Sequence, residues 1–166
     1  LLGEEFDEIY LNKVHTLSLS PESVGKFHDM KIAYTPLHGA GVRLVPASLR
    51  KWGFTNVSLV EEQTVIDGNF ATDPDSDRIG VALRNAKGEY VLLNGNQTLS
   101  LIMAYQLTRW SELGRLDGKE FVVKTIVTSQ MPNVMAAHFG VKCYDCLTGF
   151  KYIARIIRNN EGKATY

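Results

Sequence analysis

The order of two short apolar runs around one helical pattern constrains this chain most. KIAYTPL (31–37) reads as a short buried strand, ended by Pro36 and the loop HGAG (38–41). In RLVPASLRKW, Leu44, Val45, Leu49 and Trp52 recur at helical spacing. Pro46 is admissible there only near a first turn, and Gly53 is placed as a C-terminal cap. NVSLV (56–60) is a second apolar run, suited to a sheet covered on both faces. Strand, helix, strand in that order predicts a βαβ unit with a right-handed crossover. A second unit follows: FVVKTIV (121–127), a helix after Met131-Pro132-Asn133, then VKCYDC (141–146). Behind it, GFKYIARIIRN reads as a helix with Thr148 as N-cap. The expected fold class is therefore α/β, βαβ units with mixed, mainly parallel sheets flanked by helices.

Between these units, IGVAL and GEYVLL flank Asn85-Ala86-Lys87-Gly88, a hairpin signal. EEFDEIYLNKV places Phe6, Ile9, Tyr10 and Val14 on one helical face, and QTLSLIMAYQL does the same for Leu99, Ile102, Met103 and Leu107. The polar, glycine-bearing stretch TRWSELGRLDGK suggests a boundary. It gives a first domain over 1–107, a linker over 108–118 and a second, truncated domain over 119–166. One link is awkward. If Val57–Val60 and Ile79–Leu83 are parallel neighbours, residues 61–78 must join them without any helical face, whereas such crossovers usually carry a helix. A seam with lost residues between Phe70 and Ala71 is the expectation. The chain stops at Tyr166 with the second unit barely begun, and so reads as cut.

Composition narrows the function. Lysine plus arginine and aspartate plus glutamate balance at 18 each, which gives no electrostatic reason to expect nucleic acid or an anionic membrane as a partner. No run approaches a membrane span, and the acidic start LLGEEFDEIY is unlike a signal peptide, so a cytoplasmic protein is expected. Cys143 and Cys146 form a lone C-x-x-C without a second ligand pair for zinc, and are expected to be ordinary thiols.

The chemistry concentrates in ATDPDSDRIGVAL (71–83). Asp73, Asp75 and Asp77 alternate on a non-helical loop that Pro74 stiffens. Like charges so spaced can converge on one hard cation such as Mg²⁺, which takes oxygen ligands at about 2.1 Å. A calcium-binding EF-hand is excluded, since its required Gly and Glu positions hold Arg78 and Arg84. Arg78, beside such an ion, has the planar fork that grips phosphate. The competing reading is a solvated acidic turn neutralised by Arg78.

DPDSDR resembles the D-x-D-x-D-R metal loop of the α-D-phosphohexomutases, the phosphoglucomutase and phosphomannomutase superfamily. KIAYTPLHGAG, the GNQ at 95–97 and LTGFKYI (147–153) resemble family segments in the same order. The resemblance implies two incomplete phosphohexomutase-type domains: the family's second domain and the start of its third. It also implies an isomerase that moves phosphate between O1 and O6 of a hexose phosphate through a bisphosphate, with Mg²⁺ as cofactor. Asp73, Asp75 and Asp77 would hold the metal, and Arg78 would orient the transferring phosphate. Lys151 in TGFK would shuttle a proton at the sugar hydroxyl; in a first helical turn its charged form is disfavoured, which suits acid–base work. His38 could line the cleft, though a histidine bonded within a tight loop is the plainer account, with Gly39 and Gly41 serving backbone shape. Gly95-Asn96-Gln97 is expected to cap the next helix. No serine lies in anything like the family's T-A-S-H-N-P donor loop, and the sugar-selecting loop and fourth domain have no counterpart. The implied partners are hexose phosphate or bisphosphate and the remaining domains of the same parent chain, and the chain alone is expected to be inactive. The alternative is a non-catalytic metal- or phosphosugar-binding module.

Overall fold

The computed structural model describes residues 3–36, 39–59 and 68–161, in two compact units, Leu1–Asn94 and Gly95–Tyr166. Unit 1 contains α1 (Glu4–His15), α2 (Pro21–Lys26), β1 (Ile32–Thr35), α3 (Gly41–Trp52), β2 (Val57–Leu59), β3 (Gly68–Thr72), β4 (Ile79–Arg84) and β5 (Tyr90–Leu93). Unit 2 contains α4 (Gly95–Glu112), β6 (Phe121–Thr125), α5 (Met131–His138), β7 (Lys142–Cys146) and α6 (Phe150–Asn160). No helix among the described residues is long and apolar enough to cross a membrane.

The sheet of unit 1 runs β2-β1-β3-β4-β5, parallel from β2 to β3 and antiparallel beyond. Central β1 supplies Ile32, Ala33 and Tyr34 to the core, buried on both faces of the pleat. The expected β1–α3–β2 unit is present, and Gly53 closes α3 with a left-handed φ of 109°. Pro46 lies past the first turn of α3 rather than within it. Its ring withholds an amide from the Val42 carbonyl, at a residue exposed enough for water to reach. β2 is an edge strand and Leu59 is exposed, so the anticipated two-sided burial does not occur.

α1 also turns differently from expectation. Leu11 is its buried residue, while Phe6, Ile9 and Tyr10 are all more than half exposed. Two surface ion pairs join it to α3: Arg43 to Asp7 at 2.7 Å, and Lys51 to Glu8. The β4–β5 hairpin forms as expected, its turn held by the Asn85 side chain accepting the Lys87 and Glu89 amides at 2.9 and 3.0 Å.

The parallel pairing that made one link awkward does not form. Phe70 and Ala71 are consecutive residues of β3, opposite Val81 and Gly80 of β4. β4 is therefore an antiparallel neighbour of β3 and no neighbour of β2. The short parallel connection is now the one from β2 to β3, over residues 60–67, which lie outside the described residues.

In unit 2, β6 and β7 pair in parallel from Phe121↔Lys142 to Thr125↔Cys146, with α5 between them in sequence. Met103 and Leu107 of α4 pack with Ala136 and Val141 into one core. That packing moves the boundary: α4, placed before the break at 107 by composition, belongs to unit 2, and the polar stretch 108–118 lies within that unit. Buried Glu120 is satisfied there by the Asp117 and Gly118 amides at 3.0 and 3.1 Å.

Candidate metal centre

The aspartate loop is the tip of a hairpin. Thr72 and Ile79 form the last pair of the β3–β4 ladder, and residues 73–78 turn the chain between them. Within that turn Ser76 adopts φ 61°, the one positive φ of a non-glycine residue among those described. Its amide donates to the Asp73 carbonyl at 3.0 Å, so the loop folds back on itself. Such a backbone costs about 1–3 kcal/mol and persists only when its surroundings fix it.

Here the surroundings are the residues after β1. Since β1 and β3 are parallel neighbours, the loops that follow them leave the sheet at the same end. The Ala40 amide donates to the Pro74 carbonyl at 2.9 Å. A Cβ on Gly39 would stand 2.3 Å from the Pro74 Cα, and one on Gly41 would stand 2.1 Å from the Tyr34 hydroxyl. Neither glycine has a positive φ, so what these positions require is space rather than the backbone freedom expected from sequence.

Asp73, Asp75 and Asp77 each offer a carboxylate oxygen within 4.8 Å of the others'. Oxygens around a hard cation bonded at about 2.1 Å are about 3–4 Å apart, so small side-chain rotations would close the trio on an ion. Their mutual repulsion is visible in their acidities. Asp77 is pushed above the usual carboxylate value, first by its side-chain hydrogen bond with Asp73 and then by the charge of Asp75. For Asp73, burial acts upward, but the Arg78 amide, the Asp77 carboxyl and the Arg78 charge outweigh it, and the group lies below its ordinary value.

Arg78 donates its amide to Asp73 Oδ1 at 3.1 Å. Its guanidinium approaches Asp73 and Asp77 only loosely, at 3.8 and 3.7 Å, and the side chain is 82% exposed. Pairs so exposed contribute little, which leaves the planar head able to engage an incoming anion.

The other expected residues lie elsewhere. His38 is outside the described residues. Lys151 is in unit 2, exposed at the second position of α6, with its Nζ 5.0 Å from the Tyr152 ring centroid. Thr148 is not the cap of that helix: Gly149 is, at φ 130°, a conformation a threonine would adopt only with strain. Asn96 lies within α4 and accepts the Ser129 amide at 3.0 Å, joining the helix start to the loop after β6. Cys143 and Cys146 are free thiols, and Cys143 is held above its ordinary pKa by burial first and the Asp145 charge second. Tyr34 and Thr72 escaped sequence reasoning, because a tyrosine inside an apolar run reads simply as core.

Comparison with known proteins gives a consistent result. Residues 8–72 match the model of phosphoglucomutase/phosphomannomutase alpha/beta/alpha domain II, and residues 94–166 match that of domain III. A phosphoglucomutase of Staphylococcus aureus strain N315 is 31% identical over 160 residues, covering 78% of this chain and 28% of the relative. The chain thus spans under a third of the curated relatives it matches. Among solved structures, a phosphomannomutase from Thermus thermophilus aligns with 95% of this chain and 39% of its own, at TM-score 0.66 and 20% identity. The N-acetylphosphoglucosamine mutase of Aspergillus fumigatus, solved with GlcNAc-6P and magnesium, aligns with 79% of this chain and 31% of its own, at TM-score 0.61 and 14% identity.

Proposed function

Because the chain belongs to the phosphoglucomutase/phosphomannomutase family, we propose that it is the central, metal-bearing part of a phosphoglucomutase-type isomerase. The reaction we assign to the parent protein moves phosphate between O1 and O6 of a hexose phosphate through a bisphosphorylated intermediate. The supporting observation is the convergence of Asp73, Asp75 and Asp77 at one hairpin tip, with Arg78 extended beside them.

Asp73, Asp75 and Asp77 hold a divalent cation, Mg²⁺ in this reading. When bound, that ion neutralises charge developing on a transferring phosphoryl group. Arg78 places its fork on the phosphate oxygens and fixes their orientation, which is most of what phosphoryl transfer asks of a protein. Lys151 holds or accepts a proton at a sugar hydroxyl from the start of α6. The phosphate-donating serine and the sugar-selecting loop belong to remaining domains of the parent chain. These 166 residues alone are then inactive.

Isothermal titration of Mg²⁺ into the chain tests the metal reading. Binding heats are expected from the native sequence and none from Asp75→Ala; equal heats from both would overturn it. Turnover of glucose 1-phosphate by the chain alone would overturn the assignment as a dependent part.

A further inference from the structure

The residues of the metal loop divide by parity. Asp73, Asp75 and Asp77 carry the carboxylates, while Thr72, Pro74 and Ser76 each meet the segment 39–41 or its neighbour Tyr34. Tyr34 is fully enclosed, and its hydroxyl lies 2.9 Å from the Thr72 hydroxyl, one residue before the first aspartate. A Cβ on Gly41 would stand 2.1 Å from the Tyr34 hydroxyl and 3.1 Å from both the Thr72 and Ser76 hydroxyls. Three hydroxyls thus crowd one bare backbone position. Next to it, Pro74 is held by the Ala40 amide and has its backbone where a Gly39 side chain would go.

Resting on the metal reading above, we propose that Tyr34, Thr72 and Gly41 are positioning residues that set the carboxylate spacing of the aspartate loop and so its affinity for the cation. The 39–41 segment acts as a template. It grips alternate loop residues, and the residues between them are turned toward one another. A partly buried hydrogen bond between two side chains is direction-specific, so losing the tyrosine hydroxyl frees Thr72 and the root of Asp73 to rotate. Groups that orient metal ligands without touching the metal typically alter affinity by about 10–100-fold when removed.

The test uses Mn²⁺ as the probe, followed by electron paramagnetic resonance on the full chain, with circular dichroism and thermal melting run without metal. Tyr34→Phe and Thr72→Val are expected to weaken Mn²⁺ binding by about tenfold or more and to broaden the bound-ion spectrum. Thr72→Ser, which keeps the hydroxyl, restores both. Gly41→Ala should show the same loss; if it fails to fold, the tyrosine and threonine variants decide. Native affinity and an unchanged spectrum in Tyr34→Phe and Thr72→Val would overturn the positioning role, provided that Asp75→Ala has lost the ion. If Asp75→Ala also binds Mn²⁺ like the native chain, it is the metal reading that has failed.

Discussion

Lys124 and Asp145 face each other across the β6–β7 ladder and close an ion pair at 2.8 Å, the lysine side chain 3% exposed and the aspartate 38%. Lys124 also points at the Thr128 carbonyl at 3.5 Å. The pair is the fourth of five in a two-strand parallel ladder that packs against both α5 and α6. Removing Asp145 strands the charge of the enclosed Lys124, whereas replacing both by apolar groups is far milder.

Asp145 lies below the ordinary carboxylate range because Lys124 donates a hydrogen bond to it; burial opposes, and the lysine charge and Asn133 add to the lowering. A carboxyl depressed on folding stabilises the fold above its unfolded pKa, and that contribution disappears as pH falls toward the folded value. Thermal melting should therefore lose more stability between about pH 5 and about pH 3 in the native chain than in Asp145→Asn. Parallel pH profiles would exclude the pair as the source.

Leu107 is 4% exposed in the core that ties α4 to α5. Leu107→Ala should destabilise unit 2 by about 2–5 kcal/mol, read from urea denaturation followed by fluorescence of Trp110. Unit 1 should melt unchanged. A matching loss in unit 1 would return α4 to the first domain.

The C-terminal cap of α3 depends on a left-handed backbone at Gly53. Space is not limiting, since the nearest atom to an added Cβ is Val24 Cγ1 at 3.7 Å. Gly53→Ala should then cost about 1–2 kcal/mol, from conformation alone. A neutral result would mean that the helix end re-forms with another cap.

Arg78→Lys separates metal from anion. Mg²⁺ affinity should stay within about twofold, while inorganic phosphate binding at saturating Mg²⁺ falls about tenfold, because an ammonium cannot form the two parallel bonds of a guanidinium. Equal phosphate binding would remove Arg78 from the anion site.

The sequence was legible where its signals are local. The β1–α3–β2 unit, the Asn85 hairpin and the β6–α5–β7 unit follow from period, caps and turn residues. β3 was not legible. GNFAT offers no alternation, and it becomes a strand because β1 and β4 pair with it on both sides. The boundary near α4 was misplaced because an apolar helix face does not say which core it will enter. The acidic trio was visible from spacing alone, yet the reason for Gly39 and Gly41 was not. Close approach to Pro74 and Tyr34 is a property of two chain segments far apart in sequence.

The alternation between gripped and acidic residues at the hairpin tip has a consequence for how this turn can change length. Adding or deleting a single residue between Thr72 and Asp77 would exchange the two sets, burying carboxylates against the glycine segment and turning the hydroxyls outward. Length changes in this stretch are therefore tolerated only in even steps, whereas the β4–β5 turn is held by its own Asn85, and among the described residues nothing lies within 4 Å of a Cβ on its Gly88.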